Sequence, residues 1–301
     1  MVTQQPFEIL AFTDPVCTWC WGSEPILRKL QYWYGEQVKV VPIMGGLVED
    51  IRNFYDHAND IGGSPEQSNP QIARHWLEAS SRHGMPVEVN GFRLFSSDTF
   101  STYPQNIAYK AVEIVNPKLA ARFLRRIREA SASEARETGK REVLIELANE
   151  TGVDIASFIE RLDNGNAEQA FRDDLLMTRK YGVRGFPTFL FRWGNKEILL
   201  RGYQSYDSMS SVISSLTAGQ VVPHQPAANT DNILDFLLKN GRAAQVELVT
   251  VFDVSLTEVD ALLNTLSNQG KIQYVPAGNG GFWEFIGEKG FCDISTQTCM
   301  N

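Results

Sequence analysis

Cys17 and Cys20 are separated by two residues in the stretch Phe12-Thr13-Asp14-Pro15-Val16-Cys17-Thr18-Trp19-Cys20-Trp21-Gly22. Two thiols at this spacing can close into a disulfide or open one, so the chemistry they offer is thiol–disulfide exchange. A C-x-x-C is also half of a zinc site, but that use needs two more ligands, ordinarily a second tight pair. The chain has no other C-x-x-C and no His close in sequence, and neither a metal nor a cofactor is expected. The apolar run Phe7 to Phe12 reads as a short buried strand. Glu24 to Tyr34 carries Ile26, Leu27, Leu30, Trp33 and Tyr34 at helical spacing. The dithiol therefore sits where a strand gives way to a helix. A helix N-terminus offers free N–H groups and a partial positive charge, which favour a thiolate. Cys17, the outer thiol, is expected to be the nucleophile and the more acidic of the two, and Cys20 the resolving thiol.

The elements that position this pair can be read along the chain. Gln37 to Pro42 reads as a second strand, parallel to the first, and Met44-Gly45-Gly46-Leu47 as a turn. From about residue 48 to 182 the pattern is helical. Helices are expected over Pro70 to His83, from Thr102-Tyr103-Pro104, from Pro117, over Val143 to Glu150, Asp154 to Leu162, and Ala167 to Tyr181. Arg122, Arg125, Arg126 and Arg128 on the third of these read most simply as a solvated face. Pro187 to Trp193 and Glu197 to Gly202 form a β-hairpin about Gly194-Asn195, and Ser205 to Leu216 a closing helix. The order βαβ, helical insertion, ββα is that of an α/β thioredoxin fold over residues 1–222, with its insertion at about 48–182. In Val183-Arg184-Gly185-Phe186-Pro187-Thr188 a proline opens a strand where such folds carry a cis proline against the dithiol. Phe186 and Trp19 are expected to line a substrate groove, with Tyr103 on its wall.

Residues 219–228 read as a linker. Beyond it, helices are expected over Asp231 to Lys239, Ala243 to Phe252 and from the capping box Ser255-Leu256-Thr257-Glu258, followed by a hairpin from Ile272 to Ile286. Three helices and a hairpin over 229–286 suggest a small winged-helix-like α+β domain. Its third helix has no Lys or Arg, and residues 229–301 carry four basic against nine acidic residues, net −5. A protein-contact module is expected, not a reader of nucleic acid. The tail 287–301 holds Cys292 and Cys299. They are expected to form a second redox pair; an idle pair, a local disulfide, or a metal site completed by Cys17 and Cys20 are the other readings.

The chain is 301 residues with 43% apolar and 21% charged residues and a net charge of −8. That composition suits a globular protein of two domains and disfavours general binding to nucleic acid or to anionic membranes. No apolar run approaches membrane-spanning length. Met1 to Pro6 has neither a basic nor an apolar leader region, so a cytoplasmic location is expected, where a dithiol is catalytic more often than structural.

The motifs together resemble the DsbA family, in its cytoplasmic FrnE-like branch. The resemblance is carried by Asp14 to Gly22, Met44-Gly45-Gly46-Leu47, Gly84-Met85-Pro86, Thr102-Tyr103-Pro104 with Ala108 and Lys110-Ala111, and Gly182 to Phe189, and it covers about Phe7 to Leu216. It implies an oxidoreductase or isomerase with Cys17 as nucleophile, Cys20 as resolving thiol and Pro187 as cis proline. The implied partners are a protein or small-molecule disulfide and a cellular thiol reductant; a homodimer is left open. Many thioredoxin-fold enzymes place a buried acid six residues before the nucleophile, where this chain has Ala11, so Glu24, Asp14 or water would have to take the proton. The chain is also similar to kappa-class glutathione transferases, which hold a hydroxyl where Cys17 stands. It is similar, too, to adaptors that present a transcription factor to the Clp protease and use the surface of this fold in place of its chemistry.

Overall fold

The computed structural model describes residues 6–286, and beyond them only the backbone pairing of Cys292–Asp293 with Thr298–Cys299. The side chains of Cys292 and Cys299, the expected second redox pair, lie outside the described residues.

Strand β1 (Phe7–Thr13) leads through helices α1 (Thr18–Gly22) and α2 (Glu24–Tyr34) to β2 (Val38–Met44), which pairs parallel with β1 from Phe7–Val38 to Thr13–Met44. A small hairpin, β3 (Tyr55–Asp56) and β4 (Ile61–Gly62), follows. The helical insertion comprises α3 (Pro65–His83), α4 (Tyr103–Val115), α5 (Pro117–Ala132), α6 (Arg141–Glu150), α7 (Ile155–Asp163) and α8 (Asn166–Lys180). The chain then returns to the sheet as β5 (Thr188–Trp193), β6 (Lys196–Arg201) and α9 (Tyr206–Thr217). The sheet order is β2-β1-β5-β6, with β5 antiparallel to both neighbours. Strand β1 is central and covered on both faces, which is why it reads as a continuous apolar run without alternation. Phe7, Ile9 and Ala11 pack with α2 and α9, whereas Leu10 and Phe12 meet the α8 side through Met177 and Tyr181. This is the thioredoxin fold with a helical insertion.

Helix α3 begins five residues before the expected Pro70. Ser64 and Gln67 form a reciprocal capping box with Pro65 in the first turn, and this nucleates the helix; Pro70 lies inside it.

After residues 219–228 come α10 (Thr230–Asn240), β7 (Arg242–Ala244), α11 (Gln245–Phe252), α12 (Leu256–Asn268), β8 (Ile272–Ala277) and β9 (Gly280–Phe285), with sheet order β7-β9-β8. The run Ala243 to Phe252 is thus not one helix. Its first two residues, Ala243 and Ala244, pair with Trp283 and Phe282, and the Glu247 carboxylate accepts the Ala244 N–H at 2.8 Å, starting the helix at Gln245.

This C-terminal module is packed onto the rest. Trp33 Nε1 donates to Val251 O at 2.7 Å, and the Tyr32 ring meets Phe236 and Phe252 edge-on. The basic face of α5 is not solvated either. Arg122 is exposed, but Arg125 and Arg128 are buried. Arg125 grips Glu247 of α11 with two bonds, at 2.8 and 2.9 Å, and Glu129 with a third at 2.6 Å. Arg28 Nη1 also reaches Glu247, at 3.0 Å, and Arg128 pairs with Glu24. Glu129 is one turn along α5, but the other acids that answer Arg125 and Arg128 lie far away in sequence, on α2 and α11, so local spacing gives no sign of them.

Removing one partner of a buried pair strands the other charge. Glu247→Ala should lower stability by about 3–5 kcal/mol. Glu168→Ala, which removes an exposed partner of Arg172, should cost under about 0.5 kcal/mol. Urea unfolding of both variants measures the contrast, and similar midpoints would refute it.

Candidate functional site

Cys17 is the N-cap of α1, with extended backbone, and its Sγ accepts the Cys20 N–H at 3.2 Å. Its own N–H donates to Asp14 O at 3.2 Å. The expected strand-to-helix placement is therefore present, although the helix breaks at Ser23 into two pieces. Both thiols are free, and they are 6% and 1% exposed, so access comes only over Cys17. Cys17 Sγ donates to Phe186 O at 3.6 Å, and the Phe186–Pro187 bond is cis. Pro187 lies lower, on a small cavity of about 30 Å³ with Ala11, Thr13, Cys20 and Arg128.

The turn after β2 is built to hold the Phe186 loop. A Cβ on Gly45 would stand 2.1 Å from the Phe186 ring, so only glycine lets that ring lie down. Gly45 N–H donates to Thr13 O at 2.7 Å. Asp14, fully buried, ties three segments together. It accepts from Val16 N at 3.0 Å, Leu47 N at 2.7 Å, Thr102 Oγ1 at 2.9 Å and Asn106 Nδ2 at 2.8 Å. Burial pushes the Asp14 carboxyl up against the pull of these donors. Glu24 is pushed up by burial but pulled further down by Arg128, Arg125 and Arg28, so it stays ionised. Each of the two candidate proton acceptors is thus already committed to other partners.

The two thiols stand in different electrostatic surroundings. Burial pushes the Cys17 thiol well up, and its bond to Cys20 adds to this. Burial also opposes ionisation of Cys20, but its contact with Cys17 and the Arg128 guanidinium bring it down.

Above Cys17 opens a groove of about 720 Å³, lined by Cys17, Trp19, His75, Trp76, Phe95 and Phe186 among others. Cys17, Trp19 and Phe186 thus meet as expected. Tyr103 does not line the groove; it packs edge-on against Phe171 over Gly46, and its neighbour Thr102 takes the wall. Two walls escaped the sequence reading, the β3–β4 hairpin and the His75–Trp76 face of α3. The turn-forming run Asp56 to Gly62 was the available signal for the first. Trp19 is half-buried among the rings of His75, His83 and Tyr203. His83 is buried, accepts the Met85 N–H on Nδ1 at 3.1 Å, and is pushed down to about 4 by burial.

A buried dithiol at a strand-to-helix junction, facing a cis-proline loop across a four-stranded mixed sheet, defines a thioredoxin-fold dithiol protein. The family model described as Thioredoxin matches residues 10–211. The chain is 30% identical over 289 residues to the ClpXP adapter protein SpxH of Halalkalibacterium halodurans, covering 94% of this chain and 90% of that protein. It is 25% identical over 286 residues to SpxH of Bacillus subtilis, with 94% and 90% covered. Among solved structures it resembles the cytosolic disulfide reductase DsbM from Pseudomonas aeruginosa with GSH, at 25% identity and a TM-score of 0.53, covering 70% of this chain and 99% of that one. The chain belongs to the thioredoxin family and, within it, to the family of the ClpXP adapter protein SpxH.

Two outcomes follow from this geometry. Gly45→Ala should lift Phe186 off the turn, cost about 1–3 kcal/mol and speed alkylation of Cys17; an unchanged alkylation rate would contradict the role given to the glycine. For His83 the folded imidazole is depressed, so the unfolded chain holds a proton that the folded one refuses between about pH 6.5 and 4. The stability this contributes is complete above about pH 6.5 and is lost as pH falls through the window, about 3 kcal/mol in all. His83→Gln should lose that part of the pH dependence, read from urea unfolding at about pH 7 and about pH 4.5.

Proposed function

We propose that this chain is a protein adapter that presents a client to the ClpXP protease, holding it in the groove beside Cys17, Trp19 and Phe186. The observation that carries this reading is the C-terminal module. The likeness to the SpxH adapters runs over 94% of the chain, whereas DsbM is covered almost whole, 99%, by only 70% of it. A reductase of this fold therefore manages without the extra length. A bridging protein needs a second contact surface, and the module, winged-helix-like and carrying the exposed apolar side chains Leu238, Leu256 and Tyr274, offers one. Its acidic balance supports contact with protein and not nucleic acid.

A second reading is favoured by the Cys17 contact with the carbonyl before Pro187. The pair then exchanges disulfides with a protein or a small thiol, as an oxidoreductase or isomerase of the FrnE-like branch would. Cys17 attacks and Cys20 resolves the mixed disulfide, and a cellular thiol reductant restores the dithiol, with Cys292 and Cys299 as a further pair. Both readings place the chain in the cytoplasm, as monomer or homodimer.

Turnover separates them. Proteins whose half-lives lengthen in cells lacking this chain define its clients. Purified chain should restore their degradation by ClpXP, saturate near one chain per client, and leave insulin disulfides reduced no faster than background. Many-turnover insulin reduction with unchanged client half-lives would sink the adapter reading and sustain the second.

A further inference from the structure

The floor beneath Cys20 holds a cation. Ala11 contributes only a methyl group, and the cavity it shares with Cys20 is closed on the α5 side by Arg128, itself 4% exposed. We infer that Arg128 is a positioning residue that holds the Cys17–Cys20 pair in its reduced, thiolate state, with Glu24 setting how much of that positive charge reaches the sulfur.

Four observations carry the inference. Arg128 pairs with one carboxylate among the described residues, Glu24. That carboxylate is shared, since Glu24 Oε2 also lies 3.4 Å from Arg125 and 3.9 Å from Arg28; Glu247 and Glu129 answer those two guanidiniums but form no ion pair with Arg128 among the described residues. Arg128 Nη2 donates to Thr13 Oγ1 at 2.6 Å, which fixes the guanidinium against the end of β1, and its Nε is buried with no hydrogen-bond partner among the described residues. Among the described residues, the other groups facing Cys20 bring no competing cation: Thr13 ends β1 and Asp14 follows it, Cys17 caps α1, and Pro187 and Phe189 are apolar. Asp14 spends its oxygens on four donors and is pushed up by burial. Burial makes an incompletely answered charge effective at short range, and a neighbouring cation favours the ionised form of an acid.

The consequence is redox. Reduction of the Cys17–Cys20 disulfide by two glutathione molecules yields the dithiol and one glutathione disulfide; two electrons and two protons pass to the pair. One proton then leaves to solvent as the thiolate forms. Stabilising that thiolate stabilises the dithiol side of the equilibrium. The inference rests on the placement of the pair, not on the adapter reading, and equilibration in vitro tests it without a client or protease.

The experiment uses the full chain with Cys292→Ser and Cys299→Ser, equilibrated with glutathione buffers, and follows the thiolate by ultraviolet absorbance against pH. The wild-type pair should yield its first thiolate below the ordinary thiol range. Arg128→Gln should lower the equilibrium constant for reduction about tenfold, the equivalent of about one pH unit of thiolate stabilisation. Glu24→Gln should raise it by a similar factor, and Arg128→Lys should stay within about threefold of wild type. A purely structural role would not move the two neutralising variants in opposite directions. Shifts of the same sign, or no shift in variants that circular dichroism shows to be folded, would overturn the inference. Should substitution at 24 or 128 prevent folding, the wild-type titration decides: a first thiolate at or above the ordinary range overturns it, and one below it upholds it.

Discussion

A buried guanidinium must have its donors answered or the fold bears the cost of a stranded charge. In this chain Arg125 is that guanidinium, and three parts of the molecule are arranged around it. Glu129 on its own helix, Glu24 at the head of α2 and Glu247 at the head of α11 take its hydrogen bonds. Its plane also covers Trp21 at 4.5 Å and Phe282 at 5.8 Å, so the residue after Cys20 and the C-terminal sheet both press on it. Arg242 extends the cluster by gripping Glu129 at 2.8 Å and Glu134 at 2.5 Å. Such a cluster adds little net stability over an apolar core of the same shape. What it does impose is register: active helix, insertion and C-terminal module fit only where every charge finds its partner.

The site inherits its character from this arrangement. Cys17 is nearly buried, so a partner's sulfur can reach it only by filling the groove. The apolar and imidazole lining of Trp19, His75, Trp76, Phe95 and Phe186 then discriminates before any bond is exchanged. A surface of that kind serves recognition as readily as chemistry, and this is why one fold can host both adapters and reductases.

Much of this could be read from the sequence, for identifiable reasons. The strand–dithiol–helix unit, the hairpin and closing helix after the insertion, and the proline loop all rest on local signals: apolar runs, caps, turn residues and a two-residue spacing. The groove was legible only on the side built from those segments. Its other wall comes from a two-residue hairpin, too short for any periodicity to announce, and from a helix whose capping box preceded the proline taken as its start. The burial of Arg125 and Arg128 was not legible because charge partners across 100 or more residues leave no trace in spacing; Arg125 and Glu247 are 122 apart. The cation beside Cys20 leaves no local sign for the same reason, since it stands on α5.

The tip of the β8–β9 hairpin has a consequence of another kind. Gly278, at φ +56°, lets the turn come so close to the backbone of the segment after α3 that a Cβ would sit 2.2 Å from Val87 O. Asn279 then exchanges two bonds with Val87, at 2.8 and 3.0 Å, and a third with Ser80 Oγ at 3.0 Å. The exposed segment 222–225 adds only its own bonds to this, His224 N–H to Trp33 O and Val222 with Gln37. A protease that nicks it leaves two pieces with their buried charges still matched and the asparagine still seated. Those contacts should hold the pieces as a non-covalent complex in which the groove and its dithiol keep their walls.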